Sequence, residues 1–290
     1  MRPGQCLKTL GILMLMGAAA GLAAAPAMAE DWSKKYAVSG KPELRVESND
    51  AHIEVDTWDR KEIEARVSTI GWTIGGNGVR ITESQTGDRV SIQVRVPRME
   101  WSWGVHNRSV TITLMVPREA DLTAETGDGH VRVNSLAGKI DVHTGDGHIT
   151  VTSLRGEVRL RTGDGHVEGD NLDGTLSVQT GDGRVRVNGR FDALELRTND
   201  GSVDAEARAG SKIEREWYVT TGDGSVRLRI PANLNADLDA HTGDGRIRVD
   251  FPLTVPAGRM SESSVEGKLN GGGPPLRVRT GDGSITISKS

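Results

Sequence analysis

The sequence predicts an all-β chain, a single-stranded parallel β-helix in the form of a two-sided β-solenoid with 18-residue coils. Three observations point there. Aromatic residues make up only 3% of the 290 residues while glycine reaches 37, a composition suited to short strands and tight turns rather than to large apolar helix faces. The string T-G-D-G begins at Thr126, Thr144, Thr162, Thr180, Thr221, Thr242 and Thr280, with T-N-D-G at Thr198. Copies from Thr126 to Thr198 are 18 residues apart and the later intervals are 23, 21 and 38, so the chain repeats a structural unit.

Each unit splits into two halves of nine, four turn residues followed by five strand residues. Thr126-Gly-Asp-Gly precedes His130-Val-Arg-Val-Asn, and Ser135-Leu-Ala-Gly precedes Lys139-Ile-Asp-Val-His. Apolar residues alternate along the strands at Val131, Val133, Ile140, Val142, Ile149, Val151, Val158 and Leu160, the period of a half-buried strand. Leu136, Leu154 and Leu172 are expected to point inward from the second corner, and the turn glycines to supply positive φ. One unit buries about five apolar side chains at roughly 1.5–3 kcal/mol each, too little to order 18 residues alone, so units must stack. An antiparallel β-meander or sandwich is the alternative, since Asp-Gly is also a hairpin signal.

Taken in order, the first 29 residues read as a secretory signal peptide. Arg2 and Lys8 precede an apolar run from Leu10 to Leu22, and Ala27-Met28-Ala29 supplies a small-x-small cleavage site. The run is short for a membrane span, and no later window approaches about 18 apolar residues. The single cysteine, Cys6, precedes the run, so the mature chain has neither disulfides nor a thiol nucleophile. The expected location is periplasmic or cell-surface. Residues 30–290 read as one repeat domain, with irregular N-terminal coils over 30–121, regular repeats over 122–203, and coils with insertions over 204–290. Ser48-Asn-Asp-Ala-His-Ile-Glu-Val and Thr86-Gly-Asp-Arg-Val-Ser-Ile echo the motif upstream. Residues 252–275, with four prolines and Gly271-Gly-Gly, read as a loop before the last coil. The net charge of −4 favours neither nucleic acid nor an anionic membrane.

The serial T-G-D-G-x-apolar-x-apolar turns, the signal peptide and the final Thr280-Gly-Asp-Gly-Ser-Ile-Thr-Ile resemble the bacterial envelope proteins known as "putative adhesins" with β-strand repeats, domain of unknown function 4097. The resemblance covers essentially the whole mature chain. It implies an exported, non-catalytic, β-solenoid-like protein, and it brings no catalytic residue with it.

Three sets of residues are candidates for binding. The Asp column (Asp128, Asp146, Asp164, Asp182, Asp200) invites either turn capping or a cation. Aligned on the calcium-binding nonapeptide, however, the ligand position holds Val131, Ile149, Val167 and Val185. A column of His130, His148 and His166 continues into Arg184 and invites a metal or a pH response, against a plainer role beside the turn carboxylates. No metal or other cofactor is expected; the Asp and His columns are where one would bind. The third set is aromatic. If Glu62–Ile70, Val79–Glu83, Arg89–Val96 and Ser109–Val116 run up and down, loops 71–78 and 98–108 share one end. They carry Trp72, Trp101 and Trp103, with Arg98 and Arg108 nearby, either as a contact surface or as an end cap. No G-x-S-x-G, H-E-x-x-H, phosphate loop or C-x-x-C occurs. The sequence therefore points to a non-catalytic envelope scaffold with an adhesin-like contact to a protein or glycan. The rivals are a cation-binding structural protein and, more weakly, a polysaccharide-active β-helix enzyme.

Overall fold

Each repeat delivers two strands, and the structure sends them to two different faces. The computed structural model describes residues 29–97, 108–255 and 261–290, so the segment read as a signal peptide lies outside it except for Ala29. Ala137–Thr144 leads into one T-G-D-G turn and Ile149–Thr152 leaves it. Ala137–Thr144 pairs in parallel with Asp121–Thr126 on one side and Arg155–Thr162 on the other. Ile149–Thr152 pairs in the same way with Val131–Asn134 and Val167–Gln179. Ile140 lies opposite Val158, and Ile149 opposite Val167, one 18-residue unit further along. The strands entering the turns form a front ladder and those leaving them a back ladder. Through the regular repeats the pairing is parallel, and it keeps the 18-residue register except between Val167–Gln179 and Val185–Arg197, where it slips by one residue after Gly169 and recovers at Thr175.

This register stacks like on like. Ile140, Val142, Ile149, Val151, Val158 and Leu160 are each at most 2% exposed and fill the space between the ladders. Leu136, Leu154 and Leu172, at most 3% exposed, close the second corner. On either side of each T-G-D-G turn of the regular repeats, the strands alternate buried with exposed or half-buried positions, as period-two apolar spacing requires.

The turn glycines divide: those of the second corner take the expected positive φ, and those of T-G-D-G do not. The T-G-D-G glycines do not adopt positive φ; in the array that conformation belongs to the second corner, at Gly138, Gly156 and Gly174 and at Ser135, Ser153 and Asn171. What the T-G-D-G turns need is closeness. A Cβ on Gly165 would lie 2.0 Å from the carbonyl oxygen of Gly147, and one on Gly147 would lie 2.0 Å from that of Gly129. Successive turns rest backbone on backbone, and only glycine leaves the space.

At both ends the spatial order departs from the chain order. The front ladder begins Arg80–Thr86, Arg89–Arg95, Glu43–Ser48, then Asp121–Thr126. The back ladder begins Ala29–Ala37, Glu62–Ile70, Ser109–Pro117, His52–Trp58, then Val131–Asn134. At the other end, Pro275–Thr280 and Ile285–Lys289, last in sequence, insert between the coil of Trp217–Thr220 and Val226–Ile230 and the coil of Ala236–Thr242 and Ile247–Val249. Two expectations change accordingly. Thr86-Gly-Asp-Arg is a hairpin turn, with Thr86 opposite Arg89 in an antiparallel pair. Its Asp88 carboxylate accepts the Ser39 and Gly40 amides at 2.7 and 2.8 Å. Residues 252–275 are not simply a loop: Leu253–Thr254 and Ser264–Leu269 pair antiparallel, the latter also against Ala236–Thr242. Antiparallel strands thus cover edges at both ends, where a bare parallel edge would recruit another chain.

Backbone contact, not conformation, is what the turn glycines provide, and this separates two substitutions. Gly165→Ala should cost about 3 kcal/mol or more, because the obstructing atom is backbone and cannot move aside. Gly87→Ala, at φ +60° with nothing within 4 Å, should cost about 1 kcal/mol through strain alone. Urea unfolding of the two variants measures the difference.

Candidate functional site

The T-G-D-G edge is the most regular surface of the molecule, and its geometry begins with threonine. Thr126, Thr144, Thr162, Thr180, Thr198, Thr221, Thr242 and Thr280 are all buried, at most 6% exposed. Each hydroxyl reaches to the neighbouring coil. Thr144 Oγ1 lies 2.9 Å from the carbonyl oxygen of Gly127 and 3.0 Å from that of Gly129, while the Gly147 amide donates to it at 3.2 Å. Thr162 repeats the set with Gly145, Gly147 and Gly165. The hydroxyl satisfies a carbonyl of one coil and an amide of its own, so the turn carries its own lock.

The Asp column has no such role. Asp128, Asp146, Asp164, Asp182 and Asp200 are exposed, and none makes a hydrogen bond or ion pair among the described residues. The capping expected of these carboxylates is done by threonine instead. Asp50 begins the same ridge, and its carboxyl is held above the usual range by burial and by the negative charge of Asp128. Among the described residues no group of three His, Cys, Asp or Glu side chains is placed to hold a metal ion.

The His column is longer than the T-G-D-G motif indicated. His52, His130, His148 and His166 stack with ring centroids 5.1, 4.9 and 5.0 Å apart. The Nδ1 atoms of His52, His130, His148 and His166 accept the backbone amides of His130, His148, His166 and Arg184, each at 3.0 Å. Those amides face a coil whose carbonyl at that position is already taken by threonine, so the imidazole supplies the missing acceptor. His52 could have been found from the upstream echo, where it follows Asp50 by two residues as His130 follows Asp128.

Of the aromatic set, Trp101, Trp103 and Arg98 lie outside the described residues. Trp72 is half-buried against the core, with the Arg108 guanidinium 4.5 Å from its ring centroid, a cation–π distance. Ile70 pairs with Ser109, which brings the start of loop 71–78 beside the end of segment 98–108. The first loop is tied down: Thr69 Oγ1 donates to the Trp72 carbonyl at 2.7 Å, and the Ile74 amide to Glu30 at 2.6 Å. Of the other tryptophans, Trp58 donates Nε1–H to the Glu62 carbonyl at 2.8 Å, and Trp217 is fully buried against Phe191.

Two measurements follow from the edge. Thr162→Val should cost about 1–3 kcal/mol by leaving the Gly147 carbonyl and Gly165 amide unpartnered, whereas Thr162→Ser should cost about 1 kcal/mol for a lost methyl. Equilibrium unfolding compares them. The second concerns pH. His130 is held below the ordinary imidazole range by burial and then by the charges of His52 and His148, so the native state binds this proton less tightly than the unfolded chain. Its contribution is complete above about pH 6.5 and is lost as pH falls through the imidazole range. Protonated Nδ1 also cannot accept the His148 amide. The melting temperature should therefore fall between pH 7.5 and 5.5, and by less in His130→Gln, whose amide oxygen accepts without titrating.

Among curated proteins, none matches the chain. Solved structures resemble the chain at low identity and low structural overlap. A "putative cell adhesion protein" from Clostridium sporogenes ATCC 15579 is 12% identical, with 91% of this chain and 100% of that chain covered and a TM-score of 0.32. A "putative adhesin" from Bacteroides fragilis NCTC 9343 is 12% identical, covering 90% and 97% with a TM-score of 0.35. Another from Parabacteroides merdae ATCC 43184 is 9% identical, covering 89% and 96% at 0.39. At this distance the likeness says nothing about activity. The family assignment rests on the sequence: from the coil that opens the T-G-D-G column to the strand that follows its last turn in sequence, residues 42–288 match the Toastrack family, DUF4097, to which the chain belongs.

Proposed function

We propose that the protein is an exported, non-catalytic scaffold of the cell envelope, a single two-sided parallel β-solenoid that contacts an envelope glycan or protein through its N-terminal end. The leader-like first 29 residues support export. The observation that carries the contact is the Arg108 guanidinium laid over Trp72 where two loops converge. Trp and Arg are the side chains that most often anchor interfaces, because each buries a large area while keeping a polar edge. Arg98, Trp101 and Trp103 belong to the adjoining segment and complete the proposed surface. The repeated interior argues against catalysis: outward positions within the turns copy one another, whereas an active site needs a position set apart from its copies.

Because Trp72 also packs against the core, the discriminating variant is Trp101→Ala with Trp103→Ala, leaving Trp72 in place. Co-sedimentation of the mature protein with isolated cell envelopes should fall at least tenfold in the double variant, with an unchanged melting temperature. Undiminished co-sedimentation places the contact elsewhere. Loss of stability instead makes the tryptophans an end cap.

A further inference from the structure

The back ladder carries a gap in its outward column. After His52, His130, His148 and His166 comes Arg184, and then three coils present only hydroxymethyl groups, Ser202, Ser225 and Ser284, before Arg246 resumes the column. The register is fixed by the buried neighbours, Val185 opposite Val203, Val203 opposite Val226, Val226 opposite Ile285, and Ile285 opposite Ile247. The shortened side chains leave an open trough of about 410 Å³, with Arg184, Arg186 and Arg227 on its walls. Among the described residues Asp204 is the only acid lining it, and it is engaged by Arg227 at 3.4 Å and Arg229 at 2.9 Å. Arg184 and Arg186 are exposed and form no ion pair among the described residues.

We propose that this trough binds an acidic glycan, a sugar chain bearing carboxylate or sulfate groups. Guanidinium forks without protein carboxylates to satisfy them match planar or tetrahedral oxyanions in two-point hydrogen bonds. The three serines offer small donors and acceptors over about 10 Å, one per strand spacing, so a short run of sugar rings lies along the column without obstruction. One rim supplies the complementary chemistry: Asp182, Asp200, Asp223 and Asp282 stand two residues before the column, exposed, ready to accept sugar hydroxyls. A polypeptide of acidic residues would bring its own carboxylates against that row, with only backbone amides to donate to it. A sugar carries both the anion for the arginines and the hydroxyls for the aspartates. The site is on the flank of the stack and does not depend on the tryptophan-bearing end.

Isothermal titration with the mature protein tests this, using oligogalacturonate and sulfated dextran against neutral dextran and poly-glutamate. At least one charged glycan should bind, with affinity falling as salt is raised, and neutral dextran should not. Arg184→Gln with Arg186→Gln should weaken binding at least tenfold. Ser225→Tyr, which fills the trough and leaves every charge in place, should do the same. The Trp101→Ala, Trp103→Ala variant should bind the glycan as the native protein does. Equal binding of neutral dextran, tighter binding of poly-glutamate, or an equal loss in Arg159→Gln with Arg161→Gln on the front ladder would overturn the assignment, as would absence of binding to both charged glycans.

Discussion

Adjacent strands of a parallel ladder hold coils at roughly one strand spacing, and a corner that joins two ladders has to bring its own backbone to the same separation. In the T-G-D-G turns this closeness leaves no room for a side chain at the second glycine, whose missing Cβ would sit about 2 Å from the carbonyl beneath it. The same approach leaves backbone groups without ladder partners. Threonine hydroxyls take the carbonyls, and in four coils imidazoles take the amides. The strand that leaves each turn takes its register beside that contact, Ile149 opposite Val131 and Val167. A turn displaced by one residue would turn Ile149 outward and Thr150 inward.

A stack of this kind has no natural end, and its terminal coils would expose bare edges. The chain solves this by returning antiparallel strands over the first and last coils, Ala29–Ala37 and Arg80–Thr86 at one end, Ser264–Leu269 at the other. It also places its final strands, Pro275–Thr280 and Ile285–Lys289, inside the stack rather than at its limit. Pro275–Thr280 and Ile285–Lys289 are thereby held by hydrogen bonds on both sides, and opening either requires breaking two ladders.

Inside, the repeat keeps apolar positions while their size changes, as in the column Val151, Gly169, Val187, Ala205, Leu228; outside, charge and polarity vary coil by coil. On the front ladder Lys139 faces Glu157 and Asp141 faces Arg159, yet the ion pairs close differently, Arg159 to Glu157 at 2.5 Å and Arg161 to Asp141 at 3.5 Å. Such exposed pairs adjust to one another and contribute little to stability. On the back ladder one column passes from stacked imidazoles to arginine to serine. Solvent-facing positions of a solenoid are free to diverge because nothing packs on them. Differences between one coil and the next collect there, as in the run of Ser202, Ser225 and Ser284.

Much of this was legible in the residues. Period-two spacing placed Val131, Ile140 and Ile149 inside, and the 18-residue interval paired them with their copies, because strand alternation and repeat length are local properties. The coil at Ser48–Trp58 was visible as an echo, including His52. What the residues could not disclose was anything set by contact between distant segments. Asp in the turn suggested capping, but whether a carboxylate or a threonine hydroxyl reaches the neighbouring carbonyl depends on the inter-coil distance. Glycine suggested positive φ, while its real constraint is the backbone of another coil. Thr86-Gly-Asp-Arg carries nearly the same letters as a stacking turn and forms a hairpin, because its flanking strands pair antiparallel with each other. The order of coils at the two ends, and the unpaired arginines of the back ladder, arise only when hydrogen-bonding edges far apart in sequence compete for partners. Composition and periodicity determined the strands, their faces and their repeat; tertiary structure decided the stacking order and which side chains were left without partners, because those outcomes depend on which edges and charges remain free after the rest of the chain has paired.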